Sequence, residues 1–304
     1  MSLHRWLADA LARALRRRHA TLRADSVAGG RRRRRDRPSH PRSGFGDRRA
    51  FLRGAAVVPA LAALPREAQA TPPIRRRRWG MVIDLDRCAA CNACSVACRQ
   101  ENNVPSYGAD PSFHGARPEW MSMLWQEPAR PEGLPTLLPL PCMQCADPPC
   151  VKVCPVGATY KDPDGITMQI WDRCIGCRYC MVACPYSRRS FNWSEPAWTA
   201  SEQQMLNPDV ATRPEGVVEK CTFCHHRIRA LSEQARIEGR ELRDDEVQRL
   251  PACATACPAN AITFGDLEDP RSKVSELAVS PRAFRLLEHL GTDPSVYYLN
   301  KERG

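Results

Sequence analysis

Four cysteines, Cys174, Cys177, Cys180 and Cys184, stand at the spacing C-x2-C-x2-C-x3-C, and Pro185 closes the run. Three thiolates three residues apart on one short loop can converge on a single polynuclear metal centre, while a fourth, one helical turn further on, points toward a neighbouring one. Cys88, Cys91, Cys94 and Cys98 repeat the spacing. Cys142, Cys145, Cys150 and Cys154 repeat it with two extra residues before the third cysteine and Pro155 after the last. Cys221 and Cys224 are separated by a long insertion from Cys253 and Cys257, which Pro258 follows. The four groups use all sixteen cysteines of the chain. Four groups of four thiolates match four 4Fe-4S clusters, whose chemistry is one-electron transfer and needs no catalytic acid, base or nucleophile.

Two other fates of cysteine compete with this reading. Disulfide pairing would not require three cysteines three residues apart or a proline after the last, and the 234 residues after position 70 are enough to form a core without so many staples. Zinc is the stronger competitor because C-x2-C pairs are common in zinc sites, but such a site takes two pairs, whereas this chain repeats runs of three and four.

The formal charge of +11 would suggest a nucleic-acid or anionic-membrane partner, but it is not spread along the chain. Residues 1–70 hold 17 Arg, no Lys and 5 acidic residues, so the remainder is close to neutral and nucleic acid is not expected as a partner. The sequence Asp47-Arg48-Arg49-Ala50-Phe51-Leu52-Arg53, an apolar run from Gly54 to Leu64 and then Ala68-Gln69-Ala70 form, in order, paired arginines, a short apolar region and a small-x-small cleavage site. That order predicts a twin-arginine export signal with the mature chain starting at Thr71, hence a periplasmic protein peripheral to the cytoplasmic membrane. The alternative is a basic linker followed by a short core helix. The apolar run, about 11 residues with Pro59 inside it, is too short to span a bilayer, so membrane association is expected only through partners. Arg31 to Arg35 and the Pro and Gly residues around them cannot bury a core.

The elements that must position the cysteines are short. Met81 to Leu85 alternates like a half-buried strand and delivers the chain to Cys88. Ala158-Thr159-Tyr160, the turn Asp162 to Gly165, and Ile166 to Ile170 predict a hairpin leading to Cys174. Ala261 to Phe264 reads as a strand and Pro281 to Leu290 as a terminal helix. Insertions interrupt this plan at 99–141, with Trp120 and Trp125, at 186–218, with Trp193 and Trp198, and between Cys224 and Cys253, where Ile228, Leu231, Ala235, Val247 and Leu250 suggest one or two surface helices. Asp86-Arg87, Asp172-Arg173 and Glu219-Lys220 each precede a first cysteine, which places either a cation beside a cluster or a solvated strand end there. Ile175, Gly176, Met181, Val182, Val151, Val153, Ala89 and Ala90 are expected to wall out water, and His225 and His226 to make ordinary hydrogen bonds.

Together with the cysteine groups, the phrases Trp79 to Leu85, Glu101-Asn102-Asn103-Val104-Pro105, Lys220-Cys221-Thr222-Phe223-Cys224 and Phe264-Gly265-Asp266-Leu267 make residues 79–300 resemble the four-cluster electron-transfer subunit of complex iron-sulfur molybdoenzymes. The resemblance implies an α+β fold of two interleaved ferredoxin-like dicluster domains with long loop insertions: residues 71–135 plus 215–304 as one half, and 136–214 as the other. It implies the ligand sets Cys88, Cys91, Cys94 and Cys257; Cys221, Cys224, Cys253 and Cys98; Cys142, Cys145, Cys150 and Cys184; and Cys174, Cys177, Cys180 and Cys154. The partners it implies are a quinone-reactive integral membrane subunit and a catalytic, molybdopterin-containing subunit. A free-standing periplasmic polyferredoxin and a zinc-binding assembly module are the alternatives. Arg99 follows Cys98 where the other groups have proline, which leaves the helix there without a fixed end.

Overall fold

The computed structural model describes residues 77–105, 117–126 and 136–301; the export signal and Thr71 lie outside the described residues. Ten short strands alternate with helices, most of them of a single turn. The strands are β1 (Trp79–Asp84), β2 (Ser122–Gln126), β3 (Thr136–Leu140), β4 (Thr159–Lys161), β5 (Thr167–Gln169), β6 (Ser190–Phe191), β7 (Val218–Glu219), β8 (Ile262–Asp266), β9 (Ala283–Phe284) and β10 (Val296–Leu299). The class is α+β, as expected.

The main sheet has the order β8-β1-β10-β9. β1 is antiparallel to β8, with Ile83 opposite Ile262, and parallel to β10, with Asp84 opposite Leu299. The end of β1 therefore lies beside the start of β8, which brings Cys88, four residues beyond β1, and Cys257, five before β8, to one edge of the sheet. β1 is buried on both faces. Trp79, Met81 and Ile83 pack with Phe264 and Tyr298, while Val82 packs with Val274 and Leu299. A strand covered on both sides needs a continuous apolar run, so β1 is not the half-buried strand that alternation suggests.

The predicted hairpin forms, β4 pairing with β5 and Thr159 facing Gln169. It does for the second and third cysteine groups what β1 and β8 do for the first and fourth: Cys154 precedes β4 by five residues and Cys174 follows β5 by five. The short helices pair in the same way. Pro149–Lys152 packs with Tyr179–Val182, and Ala93–Glu101 packs with Ala252–Thr255.

The insertions are more ordered than loops. The first contains the hairpin β2–β3, and the third holds helices His225–Ile237 and Asp244–Val247, as the periodicity predicts. The terminal helix expected at 281–290 is absent. Residues 283–284 form the edge strand β9, with Phe284 opposite Tyr298, and Glu288–Leu290 makes one 3-10 turn. Closure of the sheet overrides a helical apolar pattern here, and the ion pair between Arg282 Nη2 and Asp84 Oδ1, 2.8 Å apart, fixes the new edge to β1. Where proline is missing after Cys98, the helix runs on to Glu101 and reaches nine residues, against four for the helices at Cys150, Cys180 and Cys253.

Candidate metal centres

The loops that carry three closely spaced cysteines share one backbone path. Ala90 and Gly176, each two residues after the first cysteine, have φ of 54° and 67°. Asn92 and Arg178, each four residues after it, have φ of 63° and cap the helices carrying Cys94 and Cys180. Two left-handed residues curl each loop, with Cys94 and Cys180 buried and Cys91 and Cys177 exposed.

The fourth cysteine of three groups opens a second recurring turn. Cys154-Pro155-Val156-Gly157, Cys184-Pro185-Tyr186-Ser187 and Cys257-Pro258-Ala259-Asn260 each close with an N–H donated from the last residue to the cysteine carbonyl, at 3.3, 3.2 and 3.2 Å. Gly157, Ser187 and Asn260 are again left-handed, with φ of 61°, 52° and 49°. The chain then turns back so that an N–H reaches the sulfur: Thr159 to Cys154 Sγ at 3.5 Å, Arg188 to Cys184 Sγ at 3.5 Å and Ala261 to Cys257 Sγ at 3.3 Å. N–H groups aimed at sulfur favour a thiolate over a thiol.

Several buried thiols are raised by cysteines from more than one sequence group. Burial and then the neighbouring Cys88, Cys257 and Cys91 push the Cys94 thiol up to about 11. Burial and then Cys221, Cys224 and Cys253 push Cys98 well above its ordinary value. Cys145 is pushed to about 12 by burial and then by Cys142, Cys150 and Cys184, opposed by a hydrogen bond from Thr292. Cys180 is raised by burial, and then by Cys150, Cys174 and Cys154 against the opposing charge of Arg189. Cys88, Cys91, Cys94 and Cys257 also line one small cavity. Cys177 is exposed on the loop between Cys174 and Cys180.

All sixteen cysteines are free. Crowded thiolates with no cation among them would repel one another, and the raised values of Cys94, Cys98, Cys145 and Cys180 are that repulsion added to burial. A metal centre removes the conflict by bringing the positive charge that keeps a ligating thiol ionised. Among the described residues no three His, Cys, Asp or Glu side chains are close enough to hold a single metal ion. Four sulfurs around one zinc stand about 3.8 Å apart, from a Zn–S bond of about 2.3 Å. A cube of iron and sulfide holds its ligands further apart and takes four thiolates to each centre, which is the number that sixteen cysteines in four groups supply.

Besides Thr292, three more side chains that cysteine spacing does not reveal reach these sulfurs or their surroundings. Arg189 Nη2 donates to Cys150 Sγ at 3.0 Å. Asn102 Nδ2 lies 3.7 Å from Cys98 Sγ and 3.6 Å from Cys224 Sγ. Lys161 Nζ donates to the Cys145 carbonyl at 2.9 Å. Asn102 sits in one of the phrases that carry the family resemblance, and Arg189 in an arginine pair soon after Pro185. Those are the only hints the sequence offers.

The acid-base-cysteine junctions are not equivalent. Asp86 and Arg87, in the turn after β1, and Asp172 and Arg173, in the 3-10 turn Trp171–Arg173, are exposed, whereas Glu219 and Lys220 are buried and Lys220 Nζ donates to the Cys221 carbonyl at 2.7 Å. His225 pairs with Asp162 at 3.3 Å and His226 with Glu101 at 2.6 Å, as ordinary polar contacts. Burial pushes the Glu101 carboxyl up, but hydrogen bonds from Arg227 and His226 outweigh it and leave it below its usual range. Val151 and Met181 do pack against the cysteine cluster with Phe191. Ile175, Val182 and Val153 do not wall out water: they are 63, 86 and 37 % exposed.

Residues 135–205, which hold the second and third cysteine groups, match the 4Fe-4S dicluster domain. The chain is 50% identical over 230 residues to the menaquinone reductase iron-sulfur cluster-binding subunit of Nitratidesulfovibrio vulgaris, covering 74% of this chain and 89% of that protein. It is 39% identical over 265 residues to an iron-sulfur subunit of the Hdr-like menaquinol oxidoreductase of Archaeoglobus fulgidus, covering 81% and 92%. It is 33% identical over 232 residues to one of the chains of the polysulfide reductase of Wolinella succinogenes, covering 75% and 97%.

Proposed function

The chain belongs to the family of 4Fe-4S iron-sulfur subunits of reductase complexes, and from that membership we propose that it relays single electrons through four clusters between two partner proteins. One partner is a quinone-reactive integral membrane subunit and the other a catalytic subunit that contains molybdopterin. The observation that carries the two-ended reading is the exposure of the cysteines. Cys91 and Cys177 are exposed, whereas Cys98, Cys145, Cys150, Cys221, Cys224 and Cys253 are buried. A relay needs a centre near the surface at each end and dry centres between.

The cross-group sets around Cys94, Cys98, Cys145 and Cys180 support the interleaved assignment, in which the first and fourth groups share one half and the second and third the other. Pairing of the short helices and the two matched strand pairs support the same division. Each cluster, when bound, would take up and release one electron by a change in iron valence. The protein's own part is to hold the thiolates, aim N–H groups at sulfur and exclude water. Among the described residues no helix is long and apolar enough to cross a membrane, and we assign the chain to the periplasmic face, exported by the twin-arginine route.

Affinity purification of the chain from its own membranes tests this. The expected product is brown, bleaches with dithionite, carries about 16 iron atoms per chain, starts at Thr71 and brings both partner subunits with it. A colourless zinc protein would overturn the cluster reading, and a brown protein that purifies alone would make it a free polyferredoxin.

A further inference from the structure

Arg189 is 6% exposed, and its side chain ends among cysteines. Nη1 donates to Gln169 Oε1 at 3.1 Å and to Thr159 Oγ1 at 3.3 Å, while the Thr159 hydroxyl itself donates to Gln169 Oε1 at 2.6 Å. The β4–β5 hairpin thus grips one side of the guanidinium and leaves Nη2 aimed at Cys150 Sγ, 3.0 Å away. Burying a cation is costly unless an opposite charge faces it. The hydrogen-bond acceptors of this one, among the described residues, are two neutral oxygens and a sulfur. Its countercharge is therefore thiolate, beginning with Cys150, which Nη2 touches. The neighbouring Arg188 is different, since its guanidinium is tied to Ser122 Oγ and the Leu140 carbonyl and only its backbone N–H reaches a sulfur.

We propose that Arg189 sets the reduction potential of the centre that includes Cys150, holding it more positive than its four thiolates alone would, so that electrons in this half of the chain come to rest there. The inference rests on the reading of the cysteines as 4Fe-4S ligands. One electron passed from an adjacent reduced centre would make the centre that includes Cys150 one unit more negative and the donor one unit less so, with no bond formed or broken and no proton moved. A fixed cation in a dry site lowers the energy of that added charge, and a charge-assisted N–H···S bond strengthens with it. Cys180 packs in the same buried cluster as Cys150, so the centre that includes it gains a smaller share.

The test is potentiometric EPR on the purified complex, with iron content measured alongside. Arg189→Gln removes the charge and keeps polar hydrogens near sulfur. It is expected to retain full iron and to shift one centre's reduction equilibrium at least tenfold toward the oxidised form, which is 59 mV for one electron. A second centre moves less and the other two stay put. Arg189→Lys keeps the charge without the fork and should lie nearer wild type than Gln does. Unchanged potentials in Arg189→Gln, equal shifts in Lys and Gln, or loss of iron from both variants would each overturn the proposal, the last by making the arginine a structural post. Wild-type protein without clusters would overturn the reading beneath it as well, and iron analysis before any substitution separates the two failures.

Discussion

Ala90 and Gly176 occupy the same place in their loops, yet one position has a side chain and the other has none. At Gly176 a Cβ would lie 2.5 Å from the Gly216 carbonyl oxygen, so the second insertion passing over the loop requires glycine there. Over Ala90 alanine is accepted at the ordinary cost of a left-handed residue, roughly 1–2 kcal/mol, which the convergence of Cys88, Cys91 and Cys94 must offset. The same logic governs Cys184. Its Pro185 turn is closed by Ser187 and followed by the Arg188 N–H on its sulfur, and the thiol is raised by burial and then by Cys142 and Cys150, two cysteines of another group. Replacing Cys184 with serine should therefore remove one centre's worth of iron and one EPR signal. Replacing Cys177 should remove a different signal. If the two variants lose the same signal, the interleaved ligand sets are wrong.

Among the elements, the second insertion is fastened in part by the buried side chain of Arg213. Arg213 pairs with Glu219 at 2.5 Å with neither side chain exposed, and its guanidinium lies 5.0 Å from the Trp120 ring. It also donates to the carbonyls of Asn102 and Asn103, both at 2.7 Å, at the end of the Ala93–Glu101 helix. Asn102 in turn offers its amide to Cys98 and Cys224, so the clamp reaches a candidate centre through one residue. Arg213→Met should leave Glu219 charged and unpaired in the interior, a loss of about 3–5 kcal/mol, read as a lower denaturant midpoint and faster iron release. The double variant Arg213→Met with Glu219→Leu should recover most of that loss, because no buried charge is stranded.

Neither Arg213 nor its role was legible beforehand, whereas much around it was. The β4–β5 hairpin and the His225–Ile237 helix follow from local signals, a turn sequence in one case and a 3.6-residue apolar period in the other. Pairings between distant segments left no local trace. β1 and β10 are more than 200 residues apart and β10 is four residues long, so nothing in Val296–Leu299 marks it as a central strand. Residues 281–290 look helical only until the sheet edge they complete is known. The four cysteine groups were legible because metal ligation imposes spacing directly on the sequence. Arg189, Asn102 and Lys161 were not, since each reaches its sulfur or loop from an element whose position only the fold decides.

At the scale of the whole molecule, an electron relay must offer two surfaces. One lies around Cys177, where Ile175 and Tyr179 are each 63 % exposed and Val182 is 86 % exposed. The other lies around Cys91, with Val96, on the same helix as Cys94, 61 % exposed. Apolar side chains this open contribute little to the fold, and a surface substitution is expected to change stability by about 0.5 kcal/mol or less. Their burial against a partner would supply the dry contact that electron exchange between proteins needs. A carboxylate introduced there leaves the fold alone but has to be desolvated on docking. Val182→Glu and Val96→Glu should both keep wild-type iron content and melting temperature. Each should lose a different partner in co-purification, and each should slow electron exchange with the partner it loses while the internal potentials stay fixed. Loss of the same partner from both variants would mean that the two exposed regions form one face, and that the relay enters and leaves the molecule elsewhere.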